Sequence, residues 1–247
     1  MHKLLQLYSD NARSDRRTPS IRTDATGDIG HIYVYDVIDS YWGASAKGLI
    51  DALAPLAGKD VALHINSPGG DVFEARAMIS ALRAHSGKVT TYIDGLAASA
   101  ASYLALVGAE VNMADGAMVM IHNAWTMAWG NKAELRATAD VLDKVDSTIV
   151  ADYQRKTGAT AEQIASWMDA ETWFTAQEAK DAGFVDTILT GDSQSTQAKA
   201  GAWNLSAYAN APKLTPPPAE PDLAELSNRV TRLNRSRLAA LLLGNPT

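Results

Sequence analysis

Two serines, Ser99 and Ser102, and one histidine, His122, are the side chains of this sequence best arranged to do chemistry. Ser99 closes the run G-L-A-A-S at Gly95 to Ser99, and His122 closes M-V-M-I-H at Met118 to His122. A serine hydroxyl attacks a carbonyl at neutral pH only when a base removes its proton, and histidine is suited to that task. Upstream, Asn66-Ser67-Pro68-Gly69-Gly70 supplies two successive glycines, whose backbone can point N–H groups into a cleft and so stabilise an oxyanion. Downstream, M-D-A-E-T-W supplies Asp169 and Glu171, either of which could hold the tautomer of an imidazole.

Each signal also has an ordinary structural use. A Pro-Gly pair makes tight turns, a serine among alanines caps a helix or bonds back to it, and loop carboxylates are commonly just solvated. The other histidines compete weakly with His122. His2 and His31 precede the core of the expected sheet, His64 lies inside a buried strand, and His85 ends a surface helix. The weight therefore rests on the order of the motifs and on the elements that carry them.

Those elements alternate. His31 to Val37 is β-branched and aromatic enough for a strand, and Ala44 to Leu56 has helical spacing. Val61 to Ile65 reads as a buried strand, Asp71 to His85 as a helix, Lys88 to Ile93 as a strand and Ala97 to Val107 as an Ala-rich helix. Short strands follow at Glu110 to Met113 and Met118 to His122. The alternation predicts an α/β domain with a largely parallel sheet, in which chemistry gathers where strands end and helices begin. Both N-S-P-G-G and G-L-A-A-S fall at such junctions.

Beyond Gly130, Lys132 to Lys156 predicts a long helix with apolar residues at Leu135, Val141, Val145, Ile149 and Tyr153. Thr160 to Met168 gives another helix, and T-W-F-T-A-Q-E-A-K-D-A-G-F-V-D-T-I-L a capped helix closed by Gly183 and a last strand. This places a poorly ordered, partly basic arm at 1–28 and the compact domain at 29–189. A Pro-, Ser- and Thr-rich linker is expected at 190–221 and an amphipathic, partner-binding helix at 222–247.

Composition narrows the field. The chain has 247 residues and a net charge of -6, which argues against a nucleic-acid-binding surface over the whole molecule. It has no cysteine, so thiol nucleophiles, disulfides and cysteine metal sites are excluded, and no metal or other cofactor is expected. No apolar run reaches the length of a membrane span, and the opening patch is too short for a signal segment, so a cytoplasmic location away from membranes is expected.

With these motifs in this order, the chain resembles the Clp protease proteolytic-subunit family of serine peptidases. That family carries N-S-P-G-G, G-x-A-A-S, M-I-H and an acidic residue ahead of a terminal E-A-x-x-x-G-x-V-D; here these read as Asn66 to Gly70, Gly95 to Ser99, Met120 to His122, and Glu171 before Glu178 to Asp186. The resemblance spans roughly residues 31–189. It implies Ser99 as nucleophile rather than Ser102, His122 as base, and the N–H groups of Gly70 and Ala100 as oxyanion hole. Glu171 stands where the family usually has aspartate, with Asp169 as the alternative third member. The fold implied is the ClpP/crotonase-like repeated β-β-α superhelix, with Lys132 to Lys156 as the protruding handle helix by which members stack into homo-oligomeric rings. The segments D-V-I-D-S-Y-W-G-A-S-A-K and I-H-N-A-W-T-M-A-W-G are similar to Clp-related head maturation proteases of tailed phages and prophages. That branch implies ATP-independent processing of capsid and scaffold proteins, and of the enzyme itself, inside the procapsid.

Four other readings stay open. They are a compartment protease fed by an ATP-dependent unfoldase, a crotonase-type acyl-CoA enzyme, a Ser-Lys peptidase with Lys144 as base, and an inactive scaffold module.

Overall fold

The computed structural model describes residues 3–11, 20–190 and 203–212. The helix expected at 222–247 lies outside the described residues, as do most of the linker and part of the arm. Helix α1 (Lys3–Asn11) leads to the hairpin β1 (Ile21–Thr26) and β2 (Ile29–Val34), then α2 (Ala46–Leu53), β3 (Asp60–Ser67), α3 (Val72–Arg83), β4 (Val89–Ala98) and α4 (Ala100–Ala105). After β5 (Glu110–Ala114) and β6 (Met118–Ile121) come α5 (Lys132–Thr157), α6 (Ala161–Asp169), β7 (Thr172–Thr175), α7 (Ala176–Asp181) and β8 (Thr187–Leu189).

The strands form one sheet in the order β1-β2-β3-β4-β5-β8, parallel from β2 onward. It forks at β4. Thr90 to Ile93 pair with β5, whereas Leu96 to Ala98 pair with β6, which in turn pairs antiparallel with β7. The parallel sheet expected from the alternation is therefore present, and the fork sends the end of β4 toward the end of β6. That is how Ser99 and His122 come together.

Side-chain alternation assigns the faces. Ala97 in β4 and Val119 and Ile121 in β6 join the main core, with Leu63, Ile65, Met78 and Leu104. Their neighbours Leu96, Ala98 and Met120 face the other way and join a second, smaller cluster with Leu7, Leu205, Ala207 and Tyr208. A period of two along each strand produces this split.

Local caps set the helix starts. Asp71 accepts from the N–H groups of Phe73 and Glu74 ahead of α3, Asn131 and Glu134 form a capping box on α5, and Thr175 and Glu178 form one on α7. Gly158, left-handed at φ 74°, ends α5. In α5 only Ile149 and Tyr153 are fully buried, while Leu135 and Val141 are exposed, so the first half of this helix is largely open to solvent.

Two boundaries need correction. The arm placed at 1–28 contains the ordered helix α1 and strand β1, because Leu7 and Ile21 find buried apolar partners elsewhere in the chain. The linker placed at 190–221 contains a stretch, 203–212, whose Leu205, Ala207 and Tyr208 are buried against the domain. The domain therefore draws on residues on both sides of 29–189. The strands and helices differ from expectation by a few residues at their ends; β4 runs on through Gly95 to Ala98, so Ser99 precedes α4 instead of lying in its first turn.

Candidate active site

Ser99 occupies the one-residue corner between β4 and α4. Its φ of 53° and ψ of -125° lie in a region that favours glycine, a cost of order 1–3 kcal/mol that the surroundings must offset. They do so by fixing both peptide groups: the Ser99 N–H donates to the Met120 carbonyl at 2.9 Å, and the Ser99 carbonyl accepts from the Ser102 N–H at 2.9 Å. The corner turns the side chain outward, and Oγ stands 2.8 Å from Nε2 of His122.

His122 follows the last residue of β6. Its ring is enclosed by Trp125, edge-to-face at 5.0 Å, and by Tyr208, edge-to-face at 5.4 Å. Burial lowers its pKa to about 4; the Glu171 carboxylate pushes it upward and Lys3 pushes it down. The imidazole is thus neutral at pH 7, the state in which it can take a proton.

The two candidate carboxylates do not bond to this ring. Glu171, itself at φ 49°, accepts from the backbone N–H groups of Asn210 at 2.7 Å and Ala209 at 3.0 Å, with the Trp173 indole N–H at 3.4 Å. Asp169 is the exposed last residue of α6 and accepts from Asn123 Nδ2 at 2.7 Å. The direct contact from Glu171 or Asp169 to His122 that the sequence reading expects is therefore not made in this arrangement. The tail segment competes for Glu171 and Asn123 holds Asp169.

Pro68-Gly69-Gly70 curls beside Ser99. Gly69 has φ 90° and Gly70 φ 146°; a Cβ on Gly69 would come within 2.4 Å of the Ala98 carbonyl oxygen, and one on Gly70 within 2.1 Å of that of Ile38. Both positions thus require glycine. A short parallel bridge to Ile38 uses the Gly69 carbonyl and the Asp71 N–H, leaving the Gly70 N–H out of the pairing. Gly70 and Ala100 line the same cavity as Ser99 and His122.

That cavity holds about 500 Å³ and runs from the serine to α5, where Val141, Val145 and Ile149 wall it; Tyr8 of α1 closes another side. Ser102 is not available to it in the same way, since its hydroxyl donates to the Ser99 carbonyl at 2.6 Å and meets the Tyr153 hydroxyl at 2.8 Å. Lys144 is exposed on α5 and is not among the residues lining the cavity. Among the described residues no group of three or more His, Asp or Glu side chains could hold a metal ion. Sequence reasoning missed Tyr8, Trp125 and Tyr208 as neighbours of the site, and only the aromatic density of W-T-M-A-W hinted at one of them.

The profile of the family described as Clp protease matches residues 31–192. An ATP-dependent Clp protease proteolytic subunit of Bacteroides fragilis is 32% identical over 166 residues, which cover 64% of this chain and 78% of that protein. Proteolytic subunit 1 of Corynebacterium jeikeium is 32% identical over 139 residues, 56% of this chain and 74% of that protein. Proteolytic subunit 2 of Corynebacterium glutamicum is 34% identical over 134 residues, 53% and 67% respectively.

Proposed function

The chain belongs to the Clp protease family of serine peptidases, hydrolases of peptide bonds, and from that premise we propose that it is an ATP-independent endopeptidase that trims capsid and scaffold proteins, with Ser99 and His122 as its catalytic pair. The observation that carries the catalytic part is the 2.8 Å approach of Ser99 Oγ to His122 Nε2 in the lining of the cavity. Ser99 Oγ attacks the scissile carbonyl carbon while His122 takes its proton. The Gly70 and Ala100 N–H groups receive the oxyanion, and His122 then protonates the leaving amine. Water, activated by the same imidazole, releases the acyl group and restores the serine.

The substrate class rests on the segments around Tyr41-Trp42 and Trp125 to Gly130, which are similar to those of phage head maturation proteases. Chain beyond the family-matched region adds support, since a procapsid enzyme must be recruited with its substrates. Co-expression with the capsid protein of a tailed phage tests this: processing that stops with Ser99→Ala supports it, and an untouched capsid protein contradicts it.

A second reading follows from the relatives, whose names describe them as subunits of an ATP-dependent protease. Degradation of a folded protein only when ATP and a Clp-type unfoldase are added would favour that role. In both cases a homo-oligomeric ring built through α5 is the expected assembly.

A further inference from the structure

Residues 203–212 follow the last strand of the domain, yet they pack onto the loops that carry the site. Trp203 donates from its indole N–H to Asn66 Oδ1 at 3.1 Å, and the Tyr208 hydroxyl donates to the Pro68 carbonyl at 2.5 Å. Both acceptors belong to the N-S-P-G-G loop. The Tyr208 ring is buried, stacks on Trp125 at 5.4 Å and 10°, and presses against His122 and Trp173. The next two residues hold Glu171 through their N–H groups, and Asn210 Nδ2 donates to the Ala170 carbonyl at 2.8 Å.

Helix α1 forms the opposite wall. Asn11 and Asn204 exchange two hydrogen bonds, at 2.7 Å and 2.8 Å, and Gln6 donates to Ser206 at 2.8 Å. Leu7, 1% exposed, lies in one cluster with Leu205, Ala207 and Tyr208 over Leu96, Ala98 and Met120. A ten-residue peptide is thus bound by side chains and main chain as a ligand would be, in a groove whose far wall is the chain's own first helix.

Its contacts fall on three working parts of the proposed site: the oxyanion loop, the face of the imidazole, and the carboxylate expected to orient that imidazole. A carboxylate accepting two backbone N–H bonds is not free to turn to Nδ1 of His122. Resting on the reading of Ser99 and His122 as the catalytic pair, we propose that residues 203–212 are an inhibitory segment acting in cis, docked in a peptide groove formed by α1, Asn66 to Pro68, Trp125 and the Ala170-Glu171 turn. Release of the segment frees Glu171 to orient His122. The cavity toward α5 remains open beside Ser99, so the docked form is slow and not sealed.

The test uses the full chain and a small fluorophosphonate, whose phosphorus Ser99 attacks with loss of fluoride, so that no substrate preference is assumed. Tyr208→Ala removes the ring and its hydroxyl; Ala209→Pro, at an exposed position, deletes one of the N–H donors to Glu171 without touching the core. Both variants should label Ser99 at least about tenfold faster than the unaltered chain, a range that triad geometry can supply. Equal or slower labelling in both, with Ser99 still labelled in the unaltered chain, overturns the inhibitory role and leaves the protease reading standing. No adduct on Ser99 in any of the three folded proteins overturns both.

Discussion

The hydroxyl of Ser99 and Nε2 of His122 stand 2.8 Å apart although 23 positions and the whole of α4, β5 and β6 separate them in the chain. The fork in the sheet closes that distance, and the left-handed corner at Ser99 aims the hydroxyl across it. A conformation that favours glycine but carries serine is strain of the kind that persists at functional sites, as the proposed role of Ser99 requires. Ser99→Gly and Ser99→Ala should both abolish fluorophosphonate labelling. The glycine variant should be the more stable of the two, by about 1 kcal/mol in urea unfolding, because only glycine adopts this backbone freely.

Gly70→Ala should cost far more. Its Cβ would meet the Ile38 carbonyl oxygen at 2.1 Å, so the bridge to Ile38 must open and the Gly70 N–H must move. Peptide hydrolysis should fall by about 100-fold or more, the usual loss when one oxyanion donor is misplaced. Gly116→Ala is the control: it also has positive φ, 82°, but nothing within 4 Å of the added carbon. It should lose about 1 kcal/mol of stability and keep its hydrolysis rate.

The pH profile follows from His122. Burial holds its pKa at about 4 against an ordinary 6.5, with Lys3 lowering it further and Glu171 opposing them. Labelling of the unaltered chain should therefore persist on acidification until about pH 4. Tyr208→Ala admits water and releases Glu171, both of which raise the pKa, so its acidic limb should move up by a unit or more. Stability carries the matching sign. Between 4 and 6.5 the unfolded histidine binds a proton that the folded one refuses, so the melting temperature should fall as pH drops through that window.

Lys144→Ala and Asp169→Asn test the other assignments of base and third group. Lys144 is exposed and Asp169 is held by Asn123, so both variants should label Ser99 within about twofold of the unaltered rate. A collapse with Lys144→Ala would point to a Ser-Lys dyad.

Most of the sheet and the Ser99 and His122 corner were legible in the sequence because they depend on local pattern: β-branched runs, glycines at strand ends, an Ala-rich helix start. The surroundings of Glu171 were not. Its N–H donors, Ala209 and Asn210, come from a segment that reads as a linker, and nothing near them in sequence shows that Leu96, Ala98 and Met120 present an apolar face to receive it. Helix α1 was hidden for the same reason. Its buried Leu7 is matched by Leu205 and Tyr208 nearly the whole chain away, and such pairing leaves no periodic trace.

Mass mapping of the fluorophosphonate adduct tests most directly whether Ser99 is an activated nucleophile. It should be run on the unaltered chain, Tyr208→Ala and Ser99→Ala together. An adduct is expected on Ser99 in the first two, formed faster in the second, and none in the third. An adduct on Ser102, or no adduct on Ser99 in either of the first two, would contradict it.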